Sequence, residues 1–129
     1  MEEQVSYQFE KLIAWQEAKE LTKAIYKLLV KFPRQEDYVL CDQIRRAAIS
    51  VPSNIAEQSG RTSLKEKIHF LEIAYGSLME VFCQLQIACE LNYITTNELE
   101  TIKPMIFKTS RLISGLRNNY AKKAELPKP

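Results

Sequence analysis

The sequence predicts an all-α protein, an antiparallel up-down-up-down four-helix bundle, from three observations. Apolar residues recur at alternating spacings of three and four through four long segments. Only three glycines occur in 129 residues, and the segments are joined by stretches of a few residues. Scarce glycine argues against the many tight turns of an all-β fold, and short connections force neighbouring helices to run in opposite directions. The length suits one domain, 1–129, with a core of its own.

The first helix is expected over about 9–32. Ala14, Ala18, Leu21, Ile25, Leu28 and Phe32 form its apolar seam, and Phe32-Pro33 ends it. The second is expected over about 35–59, with Leu40, Ile44, Ala47, Val51 and Ile55 on one face and Gly60 as its stop. The third, about 63–91, opens on a capping box, Ser63-Leu64-Lys65-Glu66. It then carries a seven-residue repeat through Leu64, Ile68, Leu71, Tyr75, Leu78, Phe82, Leu85 and Cys89. The fourth, about 96–122, opens on the capping box from Thr95 to Glu98 and carries Leu99, Ile102, Ile106, Thr109, Ile113, Leu116 and Tyr120. Pro104 is expected to kink it or to force a late start.

The stretch RRAAISVPSNIAEQSGR, Arg45 to Arg61, places a proline inside the second helix, where proline costs roughly 3 kcal/mol or more. On a helical wheel Gln43, Arg46, Ser50, Asn54, Glu57 and Arg61 form one polar row beside the core seam. Cys41, Ala48, Ile49, Pro52 and Ala56 form a second weakly apolar face, with Arg45 among them. A helix of a monomeric bundle needs one apolar stripe, so Arg45, Ala48, Ile49, Pro52 and Ala56 are read as a subunit interface. Glu57 and Glu80 fall near seam positions, where a carboxylate needs partners. Arg46, Asn54, Glu57, Arg61 and Glu80 are therefore expected to form a polar network linking the second and third helices.

The formal net charge is only +2, but 103–129 carries seven basic residues against one acid. That asymmetry hints at a polyanionic partner, RNA or DNA. The candidate phosphate contacts are Lys19, Lys23 and Lys27 along the first helix, Arg61 and Lys65 at the turn after the second, and Lys108, Arg111 and Arg117 on the fourth. Taken alone, the lysine row also fits a solvated bundle face. No aromatic residues interleave with these cations so as to suggest base stacking, so binding should be backbone-directed and salt-sensitive. The other reading is an adaptor oligomer that docks a protein and has no affinity for nucleic acid.

No cofactor, metal or catalytic residue is expected. Cys41, Cys83 and Cys89 read as buried free thiols, and His69 has a Glu-x-x-His spacing to Glu66 once only. There is no phosphate loop and no nucleophile motif. The N-terminus lacks signal-peptide character and no apolar run could span a membrane, so a soluble, cytoplasmic protein with no membrane partner is expected.

Phe9, Leu12, Trp15-Gln16 and Ala18, then Phe32-Pro33, the run QIRRAAISVPSNIAE from Gln43, Gly60-Arg61, Ser63 and IAYGSLMEVFCQLQIA from Ile73 carry a family resemblance. Over about 9–120 the chain resembles the four-helix bundle proteins encoded in intervening sequences of bacterial 23S ribosomal RNA genes. The resemblance implies a homo-oligomeric ring, usually a pentamer, with no settled biochemical function. More distantly the chain is similar to the accessory variability determinant of diversity-generating retroelements, a basic ring that binds reverse transcriptase and nucleic acid. One departure is visible: the family commonly has glycine directly after Asn-Ile-Ala-Glu, whereas Gln58-Ser59 intervene here, predicting a second helix about half a turn longer.

Overall fold

The computed structural model describes residues 5–125, and within them the protein is all-α, a four-helix bundle. The helices are α1 (Ile13–Leu29), α2 (Leu40–Ser59), α3 (Leu64–Glu90) and α4 (Thr96–Glu125). α1 packs on α2 and α4, and α3 also packs on α2 and α4, so each helix has two neighbours. No helix among the described residues is long and apolar enough to cross a membrane.

α1 is shorter than the sequence suggests at both ends. Gln8–Lys11 forms a separate 3-10 turn, because Leu12 is extended (φ −74°, ψ 126°) and breaks the helix. The turn folds back on α1: Phe9 meets the Trp15 ring edge-on at 4.9 Å, and Gln16 Nε2 donates to the Glu10 carbonyl at 2.9 Å. At the other end Lys31 and Phe32 N–H groups donate three residues back, to Leu28 and Leu29, before Pro33 ends the run.

α2 likewise starts at Leu40 and not near residue 35. Arg34–Glu36 forms a 3-10 turn and Val39 (φ −117°, ψ −93°) lies outside helical geometry. Side chains hold this connection: the Arg45 guanidinium donates to the Asp37 carbonyl at 2.7 Å, and Tyr93 Oη donates to the Glu36 carboxylate at 3.0 Å. α2 does extend to Ser59. The added Gln58 is fully buried, and its carbonyl accepts from the Arg61 N–H at 3.2 Å and from Lys67 Nζ at 3.0 Å. Gly60 stops the helix in right-handed geometry (φ −87°), so left-handed freedom is not what it supplies.

Pro52 has a partner on another helix that no local pattern reveals. It lacks the N–H that would bond to the Ala48 carbonyl four residues back. Thr22 Oγ1 of α1 lies 3.2 Å from that carbonyl and 2.8 Å from the Ala18 carbonyl, sharing its one proton between them. A hydroxyl from the neighbouring helix thus replaces the missing backbone donor at a buried site.

The third helix corrects the seam. Leu71, Leu78 and Leu85 are buried as expected, but the alternate positions in the core are Ala74, Val81 and Ala88. Tyr75 is 39% exposed, while Phe82 and Cys89 are half-buried on the flank toward α4. Ser63 Oγ accepts from the Glu66 N–H at 3.1 Å and starts the helix. Its end is a Schellman arrangement: Tyr93 N–H reaches the Ala88 carbonyl at 2.9 Å, Asn92 N–H reaches Cys89 at 3.0 Å, and Asn92 takes the left-handed conformation (φ 65°).

α4 begins on a reciprocal cap, Glu98 N–H to Thr95 Oγ1 at 3.0 Å and Thr95 N–H to the Glu98 carboxylate at 2.9 Å. It runs through Pro104 without a late start, because Pro104 and the Glu100 turn beneath it are exposed and water can serve the freed carbonyl. Ile102, Ile106, Thr109 and Ile113 are buried as the periodicity requires. The thiols divide: Cys41 is buried and Cys89 half-buried, but Cys83 is exposed because it lies outside the shifted α3 seam.

Candidate nucleic-acid interface

The candidate cations do not share one face. Lys19, Lys23 and Lys27 lie exposed along α1, with Lys19 over the Trp15 ring at 4.9 Å and Lys23 Nζ 3.5 Å from Glu20. On α4, Lys108 bridges to Glu17 of α1 at 2.9 Å, and Arg117 Nη2 lies 3.1 Å from Glu72 of α3. At the α2–α3 turn Arg61 is ion-paired with Glu57, and Lys65 is exposed. Exposed pairs of this kind are worth about 0–1 kcal/mol, so a phosphate can displace the carboxylate at little cost.

What the structure does bring together is the α2–α3 turn and the last turns of α4. Lys67 Nζ sits over the Tyr120 ring at 5.5 Å, and Lys123 Nζ lies 5.9 Å from the centre of the same ring. Arg61, Lys65, Lys67, Lys122 and Lys123 therefore gather near one end of the bundle. Lys11 joins them beyond α1, in a groove it shares with Arg111 and Lys122. The sequence does not single out Lys11, since nothing local marks an isolated lysine in an N-terminal turn.

Aromatic rings do lie beside cations, but as partners within the chain. Six cations lie over aromatic rings, among them Arg61 over Phe70 at 4.9 Å and Arg111 over Phe107 at 5.7 Å. The signal was present as the three- and four-residue spacings Trp15/Lys19, Phe107/Arg111 and Tyr120/Lys123. Lys67/Tyr120 and Lys103/Phe82 join different helices, and Arg61/Phe70 joins the α2–α3 turn to α3; none of these leaves a local trace.

The second face of α2 is covered largely by the protein's own chain. Ala48 is 1% exposed and Pro52 is buried; both lie against α1, where Thr22 meets Ala48, and Pro52 lines a shallow groove with Phe9 and Trp15. Pro52 therefore does not lie on a free outer face. Arg45 is half-buried on the Asp37 carbonyl, Ala56 is half-buried, and Ile49 is the one large apolar member left open, at 46% exposure.

The expected polar network is also corrected. Arg61 does reach Glu57, but Arg46 is exposed and pairs with Asp42 at 3.3 Å. Glu57 and Glu80 are both exposed and do not meet across the helices. Asn54 Nδ2 donates to the Ser50 carbonyl at 2.8 Å within α2. Neutral side chains make the α2–α3 polar link: Ser50 to Ser77 at 2.8 Å, and Gln84 Nε2 donating to Gln43 at 3.3 Å; within α3 the same amide also donates to the Glu80 carboxylate at 3.2 Å. An exposed carboxylate needs no buried partner, so the premise for a charged network is absent.

Glu98 carries a displaced titration. The hydrogen bond from the Lys31 ammonium, then that from the Thr95 N–H, hold its carboxyl below the ordinary value of 4.5. Burial pushes the Cys41 thiol up, and the bond to Glu36 raises the Tyr93 phenol. His69 is exposed beside the Phe70 ring.

A family model described as "23S rRNA-intervening sequence protein" matches residues 10–115. A crystal structure of a protein with unknown function from the S23 ribosomal protein family of Bacteroides thetaiotaomicron is similar in sequence and in fold. It has 26% identity and a TM-score of 0.73, over 81% of this chain and 98% of that one. No curated protein matches. The match runs from the turn before α1 to Gly115 in α4 and so takes in all or part of every helix, which makes this chain a member of the 23S rRNA-intervening sequence protein family.

Proposed function

We propose that the protein is a non-enzymatic, cytoplasmic, oligomeric accessory protein that binds nucleic acid through its phosphate backbone. The observation that carries this reading is the meeting of Lys67 and Lys123 at the Tyr120 ring, with Arg61, Lys65 and Lys122 close to them along the chain. The antiparallel up-down order belongs to the same reading. It is supported by Glu17, early in α1, meeting Lys108 well along α4, while Lys31 just past α1 meets Glu98 at the start of α4. The family resemblance supports a ring, with five copies favoured, and repetition around a ring multiplies a modest protomer charge. Ile49 is the residue of the α2 face best suited to a subunit contact.

Titration of labelled RNA and DNA at low and high salt tests the proposal. Binding that weakens steeply with salt is expected, and absence of binding even at low salt overturns it. An adaptor role has one observation in its favour, an apolar groove of about 540 Å³ between α3 and α4 lined by Tyr75, Met79, Phe82, Pro104 and Phe107. Absent nucleic-acid binding would leave that reading in place.

A further inference from the structure

A groove between the start of α1 and the C-terminal part of α4 has three cations on its walls. It is an open groove of about 660 Å³. Lys11, Arg111 and Lys122 line it, Asn118 and Asn119 add two amides, and none of its lining residues is acidic. Lys31, Arg46, Arg61, Lys108 and Arg117 are each held by a carboxylate, whereas Lys11, Arg111 and Lys122 enter no ion pair among the described residues. The Glu10 carboxylate, next to Lys11 in sequence, accepts from the Tyr7 N–H at 2.7 Å. α1 also opens here from Leu12 without a side-chain cap, which leaves first-turn N–H groups and the positive end of the helix dipole toward the groove.

Gly115 is the second observation. Glycine inside a helix is worse than alanine by roughly 0.5–1 kcal/mol. A Cβ added at Gly115 would meet nothing within 4 Å, so packing does not demand glycine there. What the missing side chain preserves is the open width of the groove. Gly76 is equally uncrowded, but the depression beside it contains both Glu72 and Arg117, whose charges cancel.

The remaining walls are apolar, with Leu12, Leu112 and Leu116 among them. An apolar floor beneath unpaired cations fits a nucleotide, its phosphate on the cations and its base on the floor. One turn before Arg111 on α4, Phe107 is 62% exposed; it lines the neighbouring α3–α4 groove, and the Arg111 guanidinium lies over its ring at 5.7 Å. Bases are free to lie on an apolar floor only when unpaired.

We propose that this groove is a nucleotide-binding subsite for single-stranded nucleic acid, with Lys11, Arg111 and Lys122 contacting phosphate. The inference rests on the nucleic-acid reading above and assigns it a place on the molecule. The test measures anisotropy of a labelled single-stranded 12-nucleotide RNA, alongside a fluorescent adenosine triphosphate analogue. Four proteins are compared: the full chain, the triple variant Lys11→Gln/Arg111→Gln/Lys122→Gln, Gly115→Leu, and Lys103→Gln.

The triple variant is expected to bind the RNA at least about tenfold more weakly at low salt, with a log–log salt slope smaller by about 2, since each phosphate contact on a single strand contributes roughly 0.7. Gly115→Leu retains every charge and fills open space, so it should fold and still lose binding several-fold. Lys103→Gln should bind as the full chain does. Equal binding by all four overturns the groove but leaves the nucleic-acid reading standing. Loss in the triple variant with none in Gly115→Leu shows diffuse charge attraction and also overturns the groove. Binding of the triphosphate but not of the RNA overturns the strand as occupant. No RNA binding by the full chain overturns both readings.

Discussion

At the scale of single residues, Pro52 is tolerated because Thr22 offers a hydroxyl to the Ala48 carbonyl that proline leaves free. Thr22→Val keeps the shape and removes that donor, so it should destabilise by about 1–3 kcal/mol, the cost of an unpaired buried carbonyl. With Pro52→Ala as background a backbone N–H is available, and the same substitution should cost about 1 kcal/mol less. Urea denaturation of the four proteins gives the coupling, and equal costs in both backgrounds would contradict the pairing. The thiols give a second check. Cys83 should react fast with an aromatic disulfide reagent and Cys89 more slowly, while Cys41, buried and with its pKa raised, should react only on unfolding. At Glu98 the folded-state pKa lies below the ordinary 4.5, so its stabilisation is present above that pH and fades as pH falls through the lower folded value. Glu98→Gln should therefore lower the urea midpoint at neutral pH and reduce the loss of midpoint on acidification to about pH 3.5. A variant whose midpoint falls with acid as steeply as the parent's would show that Glu98 contributes nothing there.

At the scale of elements, the four helices were legible because apolar seam residues recur at three- and four-residue spacings in each. α3 misled because it is apolar on more than one side. Tyr75, Phe82 and Cys89 complete a seven-residue repeat as well as Ala74, Val81 and Ala88 do, and small alanines do not announce a core position. Truncation separates the two registers. Leu78→Ala should cost about 2–5 kcal/mol, whereas Tyr75→Ala should cost roughly 1 kcal/mol, since its side chain already meets solvent. Comparable losses would restore the simpler repeat. The helix starts were misplaced for a different reason: residues 33–39 contain good helix formers, and the bonds that hold them otherwise come from Arg45 and from Tyr93, far along the chain. Capping residues Ser63 and Thr95 act within three residues and were readable directly.

For the whole molecule, individual cations were legible but their grouping was not, because the grouping depends on which helix ends meet. Lys67 beside Tyr120 and Lys11 beside Arg111 and Lys122 are separated by more than 50 residues or lie at opposite ends of the chain. The reverse error affected the α2 face: Ala48 and Pro52 read as free for a partner when α1 and the turn before it already cover them. The proposed function joins two properties, assembly into several subunits and uptake of nucleic acid by charge. Native mass spectrometry of the protein, alone and with a short single-stranded RNA at low ionic strength, examines both together. A multiple of the 15.0 kDa protomer is expected, five copies being favoured, with a further increment equal to whole RNA strands. A 15.0 kDa species that stays unchanged when RNA is added would refute both properties.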